Sequence, residues 1–314
     1  DALPILLRIA GEDRKGNLGG GLGDFFRSGA ELLTSASLRY APARDHELSL
    51  THSSSYTRPS YRDLLGYTSV ASAAFRRKGN SGLRTAYRRG LSLNYTYMRA
   101  AQLELSYTDT EDPIVEAIPP MYGGGITLRR YNLDYSRTLR ALLVLPLPLV
   151  SQKKFSWLAL TILAAQRQWD AGHIEMTDYS AALNTQFVQH RHSFSLPSDW
   201  TVDLGVTYYS GVLYELYRIQ RQWWVDASVS KRMGNLRATL SARDPFNTNI
   251  ARGSYNPEVN GLAFERNWHS PRLELTISYS WGKKSVKAQD TRARYDDLKR
   301  LTTGASEGMN TPAQ

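Results

Sequence analysis

The sequence predicts an all-β protein, an antiparallel up-and-down transmembrane β-barrel. Three observations predict it. Long stretches alternate apolar and polar residues with a period of two. Tight and long connections alternate along the chain. Several strands exceed the roughly 9–11 residues a tilted strand needs to cross a bilayer, where soluble sandwiches use about 5–6.

The alternation is clearest in residues 199–241. Trp200, Val202, Leu204, Val206 and Tyr208 fall on one parity, and Thr201, Asp203, Gly205 and Thr207 on the other. Trp223, Val225, Ala227 and Val229 then alternate with polar residues, and Leu236, Ala238 and Leu240 follow after the turn Met233-Gly234-Asn235. A period of two gives a sheet with two unlike faces.

Composition sets the bounds. The chain has 314 residues, 41% of them hydrophobic. No run of about 18 apolar residues exists, which excludes a helical membrane span. The nearest approach, Ala141 to Val150, is broken by Pro146 and Pro148. A barrel escapes this test, because only every second residue must be apolar. The absence of Cys removes disulfides and thiolate metal sites. The 19 Tyr and 7 Trp suit aromatic girdles at membrane interfaces. The net charge of +10 suggests acidic partners. Arg is scattered through strands and loops, so a solvated or lumen-lining role is expected rather than nucleic acid. With neither an initiator Met nor a signal peptide, the chain reads as a mature form or a fragment.

In chain order, residues 1–10 read as a weak strand and 11–23 as a mobile Gly-rich loop. A first clear strand covers about 32–41, turns at Pro42-Ala43-Arg44-Asp45, and pairs with 46–52 as a hairpin. A long irregular stretch follows to about Arg84. Strands led by Leu91 and Leu103 flank a turn at 99–101. A strand from Ile126 to about Leu145 is expected to end at Pro146 and Pro148. Residues 155–167 return, Trp169-Asp170-Ala171-Gly172 turns, 173–196 descends, and Pro197-Ser198-Asp199 turns again. A Gly-, Ser- and Asn-rich loop runs to about Gly261, and the last strand ends Leu273, Leu275, Ile277, Tyr279, Trp281. Tight turns near 42–45, 99–101, 197–199 and 233–235 alternate with long connections at 11–30, 57–84, 117–125 and 248–261. That pattern places short turns at one rim and long loops at the other. About twelve strands result, and an even number puts both ends at the short-turn, periplasmic rim. Three regions follow: 1–30 as weak strand and loop, 31–282 as barrel strands, and 283–314 as a polar periplasmic tail.

Four segments carry a family resemblance. They are H-E-L-S-L-T-H-S-S-S-Y-T-R-P-S-Y-R-D-L at 46–64, L-E-L-S-Y-T-D-T-E-D-P-I-V at 103–115 with N-L-D-Y-S at 132–136, W-W-V-D-A-S-V-S-K-R-M-G-N-L-R-A-T-L-S-A-R-D-P-F-N-T at 223–248, and L-E-L-T-I-S-Y-S-W-G-K-K at 273–284. In this order they resemble the C-terminal barrel region of TonB-dependent-receptor-like outer-membrane proteins of the Bacteroidetes type. One family motif, G-N-P-x-L-x-P-E, is similar here only to Gly79-Asn80-Ser81-Gly82-Leu83-Arg84, without its prolines. The resemblance implies a barrel of about 22 strands around a plug, in the bacterial outer membrane. No plug is visible in this chain, so we expect the C-terminal portion of a larger receptor; a plugless relative is the alternative.

Candidate sites are few. Arg58, Tyr61 and Arg62 form a possible ligand-contacting loop, or a rim element. Asp109, Glu111 and Asp112 could bind Ca²⁺, or mark a strand leaving the membrane beside Arg129 and Arg130. His190 and His192 share a strand face, as metal ligands lacking a third partner or as structural residues. Tyr122-Gly123-Gly124-Gly125 is a poor phosphate loop, since a strand follows it. No G-x-S-x-G motif occurs and no nucleophile stands beside a base, so no catalysis and no cofactor are expected. Trp223, Trp224, Tyr279 and Trp281 read as an interfacial belt. Glu104, Asp203, Asp226, Arg237, Arg272 and Glu274 are expected to line the lumen, and Trp200, Leu204, Val225 and Ile277 to face lipid. A charge should block assembly at Leu204 and be tolerated at Thr207.

The function that the resemblance implies is nutrient uptake by a TonB-dependent-type receptor. The partners it implies are outer-membrane lipid, an energy-transducing TonB-type complex acting through the plug, and a surface lipoprotein. The alternatives are a passive pore, the anchor of a surface complex, or a soluble basic all-β binding protein.

Overall fold

A computed structural model describes residues 5–17, 24–65, 68–72, 75–118, 126–255, 262–267 and 271–281. The expected tail at 283–314, the glycines at 123–125 and part of each expected loop at 11–30 and 248–261 lie outside these residues.

The chain opens with β1 (Ile5–Asn17), β2 (Asp24–Ala43) and β3 (His46–Thr57). A short helix α1 (Tyr61–Leu64), β4 (Thr68–Ser72) and β5 (Phe75–Lys78) come next. Then follow β6 (Ala86–Tyr97), β7 (Ala101–Glu111), β8 (Ile114–Ala117), β9 (Ile126–Asn132) and β10 (Tyr135–Ser151). The long strands β11 (Ser156–Ile174) and β12 (Thr177–Leu196) come next, followed by β13 (Trp200–Tyr214) and β14 (Tyr217–Met233). The described chain closes with β15 (Leu236–Arg243), β16 (Ile250–Tyr255), β17 (Ala263–Asn267) and β18 (Arg272–Tyr279).

Twelve strands form one antiparallel path, β1-β2-β3-β6-β7-β10-β11-β12-β13-β14-β15-β18, with β16 and β17 attached through β14. A second sheet, β4-β5-β9-β8, is built from two of the long connections. Its β5–β9 pair is parallel. Among the described residues no ladder joins β1 to β18, so the wall is an open curved sheet. Its curvature shows in one cavity lined both by β3 and by the β13–β14 tip, which are far apart along the path.

Directly paired residues share a face, so register assigns the faces. Leu143, Leu163, Val188, Tyr208 and Trp223 follow one another across β10 to β14. Leu204, Ala227, Ala242 and Leu273 form a parallel row. Leu204 is 45% exposed and Leu273 73%. A face of bare leucines suits hydrocarbon and would be costly in water. The opposite face carries Asp203, which accepts from Ser193 at 2.7 Å and from Ser228 at 3.1 Å. Ser241 and Glu274 continue that row.

At the short-turn rim, Lys231 lies 4.9 Å over the Trp200 ring, and Tyr279 and Trp281 pack 6.0 Å apart. This is the aromatic belt. Trp224 departs from the expectation. It points to the concave face and stacks on Tyr209 at 5.8 Å, while Trp223 alone faces outward. The structure leaves little room for the charge expected to be tolerated at Thr207. Thr207 lies on the concave face but is only 4% exposed. It sits between Trp224 and Gln189 across the two ladders.

Three other expectations change. The strand expected from Ile126 to Leu145 is two, β9 and β10, each in a different sheet. β10 runs on through Pro146 and Pro148 to Ser151. Its pairing with β7 stops at Val144, so the prolines stand where a missing N–H breaks no ladder on that side. Residues 169–172 do not turn; β11 continues to Ile174. Gly172 marks a crossing there, since a Cβ would sit 2.6 Å from Asp134 N. Asp134 N donates to the neighbouring Ala171 carbonyl at 2.8 Å. The strand β1 also extends through much of the stretch read as a loop, to Asn17.

Candidate functional site

The long connections are folded, and they fold together at one rim. The β13–β14 hairpin begins this assembly. Its pairing with β12 ends at Phe187–Tyr209. Beyond that point the Gln186 N–H donates instead to Ser210 Oγ, at 2.8 Å. Gly211 follows with φ of +142°, a conformation L side chains rarely adopt. The hairpin tip therefore leaves the wall and leans over the concave face.

The tip carries Leu216, which packs in a cluster with Val115, Leu128, Leu133, Ile174 and Tyr255. These residues come from β8, β9, the β9–β10 link, β11 and β16. Leu133 is 0% exposed and Leu216 1%. Two phenols secure the cluster. Tyr255 OH accepts from Ile118 N–H at 2.7 Å, and Tyr131 OH donates to Glu175 at 2.7 Å. Burial, with the bond to Glu175 second, pushes the Tyr131 phenol up.

Charges tie the tip to the second sheet. Arg77 on β5 pairs with Glu116 on β8. The Glu116 N–H donates to Glu215 Oε2 at 3.0 Å. Burial pushes the Glu215 carboxyl up; the Glu116 N–H opposes this and the Glu116 charge adds to it. Arg130 reaches Asp63 at 3.3 Å and Arg129 reaches Glu175 at 3.7 Å. Asn80 joins them, donating to the Arg130 carbonyl at 2.9 Å and accepting from Arg129 at 3.3 Å. The segment that departs from the family motif is thus a packed hub, with Leu83 fully buried.

Two cavities open on the concave face. One, of about 590 Å³, lies between β3, β6, β7, β10 and β11 and the overhanging tip. Half of its wall is Ser, Thr and Gln, with Arg88, Arg140, Glu104 and Glu215 beside a few apolar residues. The other, of about 770 Å³, lies further along the sheet and mixes Arg191, Arg243 and Arg272 with Asp203, Asp226 and Glu274.

The residues singled out from sequence lie elsewhere. Arg58 stacks on Tyr56 at 4.5 Å. Tyr61 and Arg62 stand exposed on α1, whose Ser60 and Asp63 form a reciprocal capping box. Asp109 pairs with Arg137 at 3.0 Å, and Arg84 grips Asp112 through two nitrogens at 2.8 and 2.6 Å. Glu111 pairs with Arg89 at 3.0 Å. These carboxylates meet arginines other than the expected Arg129 and Arg130. None of the five ligand candidates lines either cavity.

His190 and His192 face outward, on the lipid side. Trp157 Nε1–H donates to His192 at 2.9 Å, the two imidazoles meet at 2.9 Å, and His190 reaches Thr161 at 2.8 Å. The chain satisfies polar groups where no water is at hand. No metal-binding group of three His, Cys, Asp or Glu occurs among the described residues.

Sequence reasoning missed Arg140, Glu215, Glu116 and Arg77. Glu215 stands in Leu213-Tyr214-Glu215-Leu216-Tyr217, which has no turn signature. The one available signal was Arg140 itself, a charge in a strand otherwise apolar from Leu139 to Leu145.

The profile of the outer membrane protein beta-barrel family matches residues 23–279. The chain belongs to this family. Its place is the bacterial outer membrane. Among solved structures it is similar to the ferric enterobactin receptor PfeA of Pseudomonas aeruginosa. For the complex with BCV-L6 the TM-score is 0.54 at 14% identity, covering 81% of this chain and 41% of that one. For the R480A mutant with enterobactin the TM-score is 0.53 at 14% identity, covering 88% and 43%. The shared feature is the barrel fold. The chain spans about two fifths of the length of these receptors, 41% and 43%. No curated protein matches it by sequence.

Proposed function

We propose that this chain is wall and loop cap of an outer-membrane receptor of the TonB-dependent type, taking up a scarce nutrient. The observation that carries the proposal is the cap. A passive pore needs an open lumen, whereas here the loops are built into a second sheet and a dry cluster overhanging a largely polar cavity of the concave face. Such a cap can hold a ligand above a lumen. The likeness to solved receptors that bind enterobactin supports the reading at the level of fold. Outer-membrane lipid surrounds the leucine face. In this reading a plug closes the lumen, a TonB-type complex acts on it, and a surface lipoprotein can cover the loops.

Planar-bilayer recording tests this with the full-length protein that carries the chain. A closed receptor conducts little until urea loosens its plug. A steady open conductance before any denaturant would contradict the proposal and favour a passive pore.

A further inference from the structure

The outward face of β10–β12 is not leucine throughout. Towards the long-loop rim its paired residues run Leu143–Leu163, Ala141–Ala165, Leu139–Arg167 and Arg137–Trp169. Two alanines side by side, with larger side chains in the rows above and below, leave a gap. An apolar groove of about 300 Å³ lies there, lined by Ala141 and Ala165 with Leu103, Leu143, Leu163 and Val188.

Two arginines stand above the groove. Arg137 and Arg167 are diagonal neighbours on the ladder, about 7–8 Å apart. Both guanidiniums bend towards the long-loop rim. Arg137 lies 4.4 Å over the Tyr135 ring and Arg167 5.7 Å over the Trp169 ring. Bending of this kind lifts a charge from hydrocarbon to the headgroup level. Arg167 is exposed and forms no ion pair among the described residues. Arg137 gives Asp109 only its Nε, at 3.0 Å, which leaves its terminal nitrogens open. The other acids nearby are engaged elsewhere: Glu111 with Arg89, and Asp134 and Asp178, higher on the strands, against His173. Asn184, an exposed amide, pairs directly with Arg167 across the β11–β12 ladder.

Each part of this face matches one part of a lipid. Open guanidinium nitrogens suit a phosphate, and their spacing lets one phosphate bridge both. The amide suits sugar hydroxyls. The groove suits an acyl chain. Long loops mark the outer side of such barrels, so the leaflet at this level is the outer one, which in bacterial outer membranes is built of phosphorylated glycolipid.

We infer that this face binds one phosphorylated glycolipid of the outer leaflet. Its phosphate lies between Arg137 and Arg167, its sugar against Asn184, and one acyl chain in the alanine groove. The inference rests on the outer-membrane placement of the wall and is independent of the receptor reading.

Native mass spectrometry of the full-length protein in detergent tests it. The probes are monophosphoryl lipid A, the same glycolipid stripped of its phosphate, and phosphatidylglycerol. Lipid A should bind roughly tenfold more tightly than either of the others. The Arg137→Gln, Arg167→Gln double variant should bind lipid A no better than the stripped glycolipid. Arg167→Gln alone removes a charge with no ion-pair partner, so it should assemble and lose roughly threefold. Ala165→Phe fills the groove, keeps both charges and should also weaken binding. Lys231→Gln, at the opposite rim, should change nothing. Heat-dependent gel migration reports whether each variant has assembled. Equal binding of lipid A and the stripped glycolipid, or an assembled Arg167→Gln variant that binds like the parent, would overturn the phosphate site. Equal binding of phosphatidylglycerol would overturn the glycolipid. Unchanged binding by Ala165→Phe would overturn the acyl-chain groove, and equal losses in Lys231→Gln would reduce the effect to adsorption on any basic rim.

Discussion

The wall and the cap use the same residues in opposite ways. In the wall, Leu204, Leu240 and Leu275 point outward and stay exposed; in the cap, Leu133 and Leu216 point inward and are shielded. One chain thus obeys two solvents. Where hydrocarbon surrounds the sheet, the apolar face is the outer one and backbone groups are satisfied by ladders. Where the loops rise into water, the usual rule returns and a dry core forms. The change comes at the level of Asp109, Glu111, Arg89 and Arg137, a row of ion pairs on the outer face above the leucines. An exposed leucine therefore has no fixed meaning until its solvent is known.

Substitutions in each region can break that contrast. The largest effect is expected from Leu204→Arg. A cation on the lipid face near mid-bilayer costs about 2–4 kcal/mol, and it acts on the whole wall. Loss of the heat-modifiable folded band should follow. If Leu204→Arg assembles like the parent, the outward assignment fails.

Leu216→Ala should be comparable in energy but local in effect. Truncating a fully buried leucine costs about 2–5 kcal/mol. The wall should still assemble, while limited proteolysis cuts faster around residues 114–133 and 213–217. Loss of the whole barrel would show that cap and wall are one cooperative unit.

A smaller effect concerns pH. Burial raises the Glu215 carboxyl in the folded cap. Its contribution is therefore fully present below the ordinary carboxylate pKa and lost as pH rises through the raised folded value. Resistance of the cap to protease should improve as pH falls into that window. Glu215→Gln keeps an acceptor for the Glu116 N–H and should remove this dependence.

The smallest effect belongs to the outer-face ion pairs. Glu111→Gln breaks the exposed pair with Arg89, and such pairs are worth within about 1 kcal/mol. Thermal denaturation should barely register it.

The wall was legible in the sequence because its signal is local. Alternation in Trp200–Tyr208 and Trp223–Val229 gives the faces directly, and Met233-Gly234-Asn235 and Pro197-Ser198-Asp199 give the turns. The cap was not legible, because its contacts join distant segments. Nothing near Glu116 announces Glu215, about a hundred residues on. Nothing in Trp169-Asp170-Ala171-Gly172 separates a turn from a crossing. Trp223 and Trp224 differ only in parity, so one belongs to the belt and the other to the concave face. Arg58, Tyr61 and Arg62 were singled out for chemistry that surface residues share.

The central claim is that neighbouring residues of one strand see lipid and lumen in turn. The chain contains no cysteine, so single labelling sites can be introduced cleanly. Leu204→Cys and Asp203→Cys, each carrying a spin label in reconstituted membranes, should differ sharply. The label at Leu204 should relax with lipid-soluble oxygen, and the label at Asp203 with a water-soluble nickel chelate or with neither. Equal oxygen response at the two positions, or the reverse order, would contradict the account.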